Sequence, residues 1–447
     1  MTTIQFPKDL KWGAATAAYQ IEGAANKGGR RPSIWDTFSH TPGNVKNGDN
    51  GDEACDSYHR YEEDVQILKE LGVDVYRFSI SWPRVMKDDE GTLNPEGIAY
   101  YRTLIQSLIT EGIEPIITLY HWDLPQTLQD IGGWENRETV NAFQTYAEAM
   151  FREFGDSVKK WITINEPWCA SFLSNYIGVH APGKQDLQAG IDVAHHLLLA
   201  HGRAVESFRG MVPDGEIGYA PNADWLEPYS NSQEDIDACK RDMQWKIEWF
   251  MDPVFKGEYP ALLQDIFAKH NAYVKVEEGD LETISQPIDF MGINYYSGSI
   301  ARHKKDNGLF DVEAIWDGYD KTDIGWPVYP EGFYNLLTHI HQLYGDVPIY
   351  ITENGACYNH EVENGMVNDQ ERIDYLKQHL TALHRAIKSG VPIKGYILWS
   401  LMDNFEWAEG YSKRFGIVHV NYRTFERTKK ESYYWYQKVT HNNWFEL

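Results

Sequence analysis

Trp161-Ile162-Thr163-Ile164-Asn165-Glu166-Pro167 is a short, largely apolar run that ends on a carboxylate and a proline. Its β-branched residues favour a strand, and the proline, which has no N–H to donate, terminates it. Runs of the same kind recur at 12–19, 73–79, 114–121, 216–221, 289–295, 348–352 and 394–400, making eight with 161–165. They are nearly continuous in apolar residues instead of alternating in and out, which suits parallel strands covered on both faces. Helical patterns fill the gaps. Tyr58, Tyr61, Val65 and Leu68 keep the 3–4 spacing before Gly72; Asn94 and Pro95 stand as N-cap and first residue ahead of Ile98, Tyr101, Ile105 and Leu108, with Gly112 closing that helix. Ile373, Leu376, Leu380, Leu383 and Ile387 repeat the pattern before Gly390. Eight β-runs interleaved with helices predict an α/β fold, a single (β/α)8 TIM barrel with extended βα loops, over residues 1–447. The stretch 222–289 is too long for one crossover and predicts an insertion, with 235–255 helical.

Composition supports a packed globular chain. Of 447 residues, 42% are hydrophobic and 24% charged, and no Gly/Ser- or Pro-rich linker interrupts them. A formal net charge of −25 repels phosphate backbones and anionic lipid heads, which argues against a nucleic-acid partner and a membrane-surface role. The 16 Trp and 28 Tyr exceed what a core usually needs; such rings stack on the CH faces of sugars and also fill cores. Cys55, Cys169, Cys239 and Cys357 stand far apart, neither a disulfide framework nor a zinc knuckle. The start, Met1 to Phe6, has no basic or apolar leader pattern, and no apolar stretch is long enough to span a bilayer, so a cytoplasmic location is expected. A homo-oligomer is compatible with the sequence, which does not set a subunit number.

A barrel directs attention to the C-terminal ends of its strands, where the βα loops build the active site. Those ends read Gln20, Arg77, His121, Asn165–Glu166, Asn222, Asn294–Tyr296, Glu353 and Trp399. With 66 acidic residues, the default for any one Glu is a solvated surface charge. Glu166 and Glu353 depart from it. Each stands where a buried strand opens onto a loop, and a charge there is costly without partners or a task. Strands four and seven lie on roughly opposite sides of an eight-strand barrel, so the two carboxyls should face each other across its mouth. Two opposed carboxyls are what glycosidic cleavage needs, one protonated to assist the leaving oxygen and one ionised to meet the anomeric carbon. Spacing alone leaves open both the gap between them and which is which.

Seven ordered motifs then carry a resemblance. They are Phe6-x5-Trp12-Gly13 through Tyr19-Gln20-Ile21-Glu22-Gly23, Tyr76-Arg77-Phe78-Ser79 through Arg84, Tyr120-His121-Trp122-Asp123-Leu124-Pro125, Thr163-Ile164-Asn165-Glu166-Pro167, Gly292-Ile293-Asn294-Tyr295-Tyr296, Ile351-Thr352-Glu353-Asn354-Gly355 and Trp399-Ser400-x2-Asp403 through Trp407. Together they resemble glycoside hydrolase family 1 across essentially the whole chain, most of all its bacterial β-glucosidases. The resemblance implies a retaining β-glycosidase that needs no cofactor and cleaves small β-glucosides. In that scheme Glu166 corresponds to the acid/base and Glu353 to the nucleophile. Arg77, Asn294 and Tyr296 match positions that support the nucleophile. Gln20, His121, Asn165 and Glu406 match groups that bond the sugar hydroxyls, Trp399 the aromatic floor and Trp407 a further hydroxyl contact. Trp168 and Trp326 match the leaving-group side. β-Galactosidase or β-fucosidase side activity is also implied.

Two rival readings remain. A 6-phospho-β-glycosidase of the same family would carry Ser, Lys and Tyr where this chain has Glu406, Lys413 and Phe415, and a carboxylate at Glu406 would repel a phosphate. A non-catalytic sugar-binding relative would usually lack one of the two carboxylates, and both are present. Other motifs fail on their chemistry. Gly178 to Gln185 nearly matches a phosphate-binding loop but has no hydroxyl for Mg²⁺ and contains Pro182. His195, His196 and His201 share a helix without metal-ligand spacing, and no G-x-G-x-x-G fingerprint occurs, so neither a metal nor a dinucleotide is expected.

Overall fold

The computed structural model describes residues 3–447; Met1 and Thr2, which begin the N-terminal stretch read above, lie outside the described residues. Eight parallel strands close a barrel in sequence order: β1 (Lys11–Ala15), β2 (Val75–Ser79), β3 (Glu114–Tyr120), β4 (Lys160–Asn165), β5 (Glu216–Ala220), β6 (Phe290–Asn294), β7 (Ile349–Asn354) and β8 (Ile393–Trp399). The ring closes where Trp399 of β8 lies beside Ala15 of β1. Every residue of β2, β4, β6 and β7 is buried, inward ones filling the barrel and outward ones packing on helices. That double covering is why these strands read as unbroken apolar runs. The (β/α)8 fold expected from the sequence is the fold of the protein.

The helices form where the 3–4 spacing placed them. Ser57–Leu71 ends at Gly72, whose φ of 73° lets its N–H return to Leu68. Gln370–Lys388 stops just short of Gly390. Asn94 precedes Pro95–Thr110 as predicted, but its side chain does not cap that helix. It is 2% exposed, and its amide donates to the carbonyls of Gly28 (2.6 Å) and Arg84 (2.8 Å), so it ties the first βα loop to the second. The insertion after β5 contains Gln233–Met243 and Trp249–Lys256, joined by a wide turn over Gln244–Glu248. Outside the barrel a small sheet unites Trp225–Pro228, Gly298–His303 and Val312–Ile315, extending the loops that follow β5 and β6.

Two strand limits differ from expectation, and both move a site residue. The first run ends as a strand at Ala15, because Thr16 N–H turns to the Arg77 carbonyl and Ala18 N–H to the Ser79 hydroxyl at 2.7 Å. Gln20 therefore rides on a helical turn, Ala18–Ile21, above the barrel. At the seventh run the strand continues to Asn354, so Glu353 lies within β7 and not after it.

Candidate active site

The ladder slips register at both carboxyl positions. Between β4 and β5 the shift falls between Ile162 and Asn165; between β6 and β7 it falls between Ile351 and Glu353. Such irregularities re-aim side chains at a barrel rim. Glu166 also has φ of +48°, a left-handed conformation rarely taken by a residue with a side chain and costing about 1–3 kcal/mol. Pro167 follows it directly. The backbone is thus bent to present this carboxyl.

Glu353 is held by charge and by hydrogen bonds. Its Oε1 accepts from Arg77 Nη1 at 2.8 Å and its Oε2 from the Tyr296 hydroxyl at 2.5 Å. Arg77 is itself fixed: Nε donates to Thr118 Oγ1 (3.1 Å), Nη1 to the Thr352 carbonyl (3.0 Å) and Nη2 to Asn165 Oδ1 (2.5 Å). The pair is almost fully enclosed, with side chains 1% and 4% exposed. Burial pushes the Glu353 pKa up, while Arg77, Tyr296 and Asn294 act against that and favour the anion.

Glu166 has an amide partner instead of a cation. Asn294 Nδ2 donates to Glu166 Oε1 at 2.8 Å and to Asn165 Oδ1 at 3.0 Å, and Asn294 Oδ1 accepts from Thr352 Oγ1 at 2.6 Å. Burial and then the negative charge of Glu353 push the Glu166 pKa up to about 8. Asn294 thus ties Glu166 to Asn165 and Thr352. The net effect of burial is to raise both pKa values, Glu166 to about 8, and only Glu353 meets a guanidinium directly.

Around this pair lie the other predicted residues. Asn165 Nδ2 donates to His121 Nε2 at 3.2 Å; burial and the charge of Arg77 hold His121 well below the usual histidine range, so the ring is neutral and Nε2 accepts. His121 lies near-parallel to Trp399 (5.8 Å) and Trp407 (5.9 Å). Gln20 Nε2 donates to Asn404 Oδ1 (3.0 Å) and the Phe405 carbonyl (2.8 Å), leaving its Oε1 without a partner among the described residues. Burial, and the charges of Glu353 and Glu166, push Glu406 up to about 8. Trp326 joins through Tyr296 at 5.6 Å and Phe415 at 5.9 Å. Trp168 stands apart from this network: it follows Glu166 by two residues, but its ring meets Trp245 of the insertion at 5.2 Å.

Four contributors were not singled out as site residues from the sequence. Trp122 donates its indole N–H to the Asn165 carbonyl (2.9 Å) and packs 4.6 Å from Trp407. Asn404 positions Gln20, while Thr118 and Thr352 orient Arg77 and Asn294. A hydroxyl inside an otherwise apolar buried strand was the signal available for the two threonines. The histidines set aside as metal ligands serve packing: His195 pairs with Asp280 (2.9 Å), His196 with the Trp134 carbonyl (2.7 Å) and His201 with Thr163 (2.7 Å). Among the described residues no group of three His, Cys, Asp or Glu side chains is placed to hold a metal.

Two buried carboxyls, one on a guanidinium and a phenol and the other on an amide, suit a division between nucleophile and proton donor at one centre. The comparisons agree with that chemistry. The family model for glycosyl hydrolase family 1 matches residues 2–445. Beta-glucosidase A of Acetivibrio thermocellus is 50% identical over the full length of both chains. A bifunctional beta-D-glucosidase/beta-D-fucosidase of Bifidobacterium breve is 43% identical, covering 98% of each. The structure of a Thermotoga maritima family 1 glycoside hydrolase, complexed with a cyclophellitol analogue transition state mimic, superposes with a TM-score of 0.96 at 47% identity over 100% of each chain. Full-length likeness at this level leaves one assignment: this chain belongs to glycosyl hydrolase family 1.

Proposed function

We propose that this protein is a retaining β-glucosidase, its whole chain acting as one catalytic domain, which releases the non-reducing terminal glucose from small β-glucosides such as cellobiose and aryl or alkyl glucosides. The observation that carries this reading is the opposite setting of the two buried carboxyls, Glu353 on a guanidinium and a phenol, Glu166 on an amide. In the first step Glu353 attacks the anomeric carbon while Glu166 passes its proton to the departing oxygen. A glycosyl ester on Glu353 forms, a step for which retention requires carboxyls about 5–5.5 Å apart. Esterification removes the charge of Glu353, which had been raising the Glu166 pKa. Glu166, now ionised, takes a proton from water as that water attacks, and Glu353 leaves.

Gln20, His121, Asn165 and Glu406 hold the sugar hydroxyls, with Trp399 beneath and Trp407 beside; Trp168 and Trp326 border the leaving group. The free acceptor Gln20 Oε1 and the carboxyl of Glu406 suit a neutral diol. Lys413, the one residue shared with the phosphate-binding pattern, is engaged: its ammonium donates to the Asp323 carbonyl, while Phe415 packs against Trp326. Both features favour the free sugar over a 6-phosphate. Fucoside and galactoside side activity fits the same site, and a relative is named for β-D-fucosidase activity. Cytoplasmic action on soluble products of cellulose breakdown, with no nucleic-acid partner, agrees with the net charge of −25. No described helix is long and apolar enough to cross a membrane. A panel of nitrophenyl glycosides with and without a 6-phosphate tests the reading, with product anomers followed by NMR. Unphosphorylated glucoside should be the faster substrate and β-glucose the first product; a faster phosphoglucoside, or α-glucose first, would reject it.

A further inference from the structure

Tyr296 holds the carboxylate of Glu353 from a segment that has left the barrel: β6 ends at Asn294, so the phenol stands two residues past the last strand position. What fixes that segment lies behind it. Asn354, the residue after Glu353, is fully buried and uses both polar atoms of its side chain there. Its Nδ2 donates to the Tyr295 carbonyl at 2.7 Å and to the Tyr375 hydroxyl at 3.1 Å, while its Oδ1 accepts from the Tyr396 hydroxyl at 2.7 Å. The Tyr295 carbonyl can only accept, which sets the orientation of the amide. The Tyr375 hydroxyl, accepting from Asn354, sends its own hydrogen to the Tyr296 carbonyl at 2.8 Å. Tyr375 is a buried residue of the helix Gln370–Lys388, and the His379 ring stacks on it at 3.8 Å from one turn later. Two successive carbonyls are thus tied down, that of Tyr295 to Asn354 and that of Tyr296 to Tyr375.

A phenol hydroxyl stands at the far end of its ring, so a small turn of the peptide at Tyr296 carries that oxygen further than a hydrogen bond tolerates. The oxygen meets Glu353 Oε2 at 2.5 Å and favours the anion there. The ionisable groups facing Glu353 come from four places: Arg77 on β2, Glu166 after β4, Tyr296 after β6 and Glu406 after β8. Tyr375 is bonded to one of them, Tyr296, and there to the backbone. Burial holds the Tyr375 hydroxyl well above the usual phenol range, so it remains a donor; Tyr396, Tyr358 and His379 are the titratable groups around it. We propose that Tyr375 is a positioning residue: by holding the Tyr296 carbonyl, next to the carbonyl that Asn354 holds, it sets the phenol of Tyr296 against the carboxylate of Glu353. The inference rests on the glycosidase reading for its kinetic test and on geometry alone for its structural one.

Tyr375→Phe in the full chain removes one oxygen and keeps the ring that stacks on His379. With a nitrophenyl β-glucoside, kcat/KM should fall ~10-fold, the size of one lost buried hydrogen bond. With the phenol loosened the anion of Glu353 is less favoured, so its pKa rises and the acidic limb of kcat/KM against pH should move upward. On a Tyr296→Phe background no hydroxyl is left to position, so adding Tyr375→Phe should change kcat/KM less than ~2-fold and leave the limb in place. Losses that multiply, or an acidic limb unmoved by Tyr375→Phe whatever its Tm, would overturn the proposal. Should Tyr375→Phe not fold, Tyr396→Phe, which frees the amide of Asn354, is read by the same limb and the same cycle in either direction. A crystal structure of the folded variant reads the contact without any assay: loss of the Tyr296–Glu353 hydrogen bond supports the role, and a retained bond overturns it. A wild-type protein inactive on every glycoside would remove the glycosidase reading and leave that structural outcome to decide this one.

Discussion

The guanidinium of Arg77 meets the carboxylate of Glu353 at 2.8 Å, in an ion pair whose side chains are 1% and 4% exposed. Such a pair does little for stability by itself, since desolvation offsets most of the attraction. Its consequence is for protonation. Beside a second carboxyl, in a site that burial makes hostile to charge, it acts to favour the anion on Glu353.

Arg77→Lys keeps the charge but loses the fork that reaches Thr118, Asn165 and Glu353 together. The Glu353 pKa should climb, and the acidic limb of kcat/KM against pH should move upward with it. A rate profile with an unmoved acidic limb would take Arg77 out of this role.

Glu353→Ala removes the proposed nucleophile. Turnover of a nitrophenyl glucoside should fall by ~10³-fold or more. Added azide, entering the space vacated by the carboxylate, should restore rate and give the α-glycosyl product by single inversion. Azide product of β configuration, identified by NMR, would mean that another group attacks first.

In the proposed mechanism the alkaline limb should report Glu166. Its pKa is raised to about 8 and it must carry its proton to assist departure, so activity should fall as pH climbs through about 8. Glu166→Gln, assayed with a dinitrophenyl glucoside whose leaving group needs no proton, should keep glycosylation and lose that limb. Glu406, also raised to about 8, is the competing titration, and Glu406→Gln should leave the limb in place. A limb that vanishes with Glu406→Gln instead would transfer it to that residue.

Asp280 bears on stability. Its buried carboxylate would be pushed up by desolvation, but bonds from Arg137, His195 (2.9 Å) and the Glu277 N–H (2.8 Å) hold it well below the usual carboxylate range. A depressed folded-state pKa adds stability that is present above the unfolded value near 4 and lost as pH falls through the folded one. Asp280→Asn should therefore cost about 3 kcal/mol at pH 7, with the gap in Tm narrowing once pH drops below ~4. Equal Tm differences at pH 7 and pH 3 would show that the ion pair contributes nothing.

How much of the site was legible depended on which property of a residue mattered. Glu166 and Glu353 stood out because a strand buried on both faces leaves no ordinary reason for a carboxylate at its end. Trp122 did not, although it lies in a quoted motif, because its role comes from a backbone angle and from a neighbour 43 residues away, Asn165. Asn94 was read locally as a cap, and its amide instead joined two loops across the molecule. Gln20 was expected at a strand end and stands on a helical turn, since the N–H of Ala18 found a side-chain acceptor on β2.

The barrel was legible along the chain, because eight apolar runs spaced by amphipathic helices can bury both sets of faces in few other ways, and so were the two carboxyls, because charge at such points needs a cause. Which carboxyl meets the cation was set only once the chain had folded. That choice is made by electrostatics between strands: Arg77 from β2 and Tyr296 from the loop after β6 converge on Glu353, while Glu166 receives the amide of Asn294 and the field of its ionised partner. No spacing along the chain encodes those distances, since they exist only once the barrel has closed.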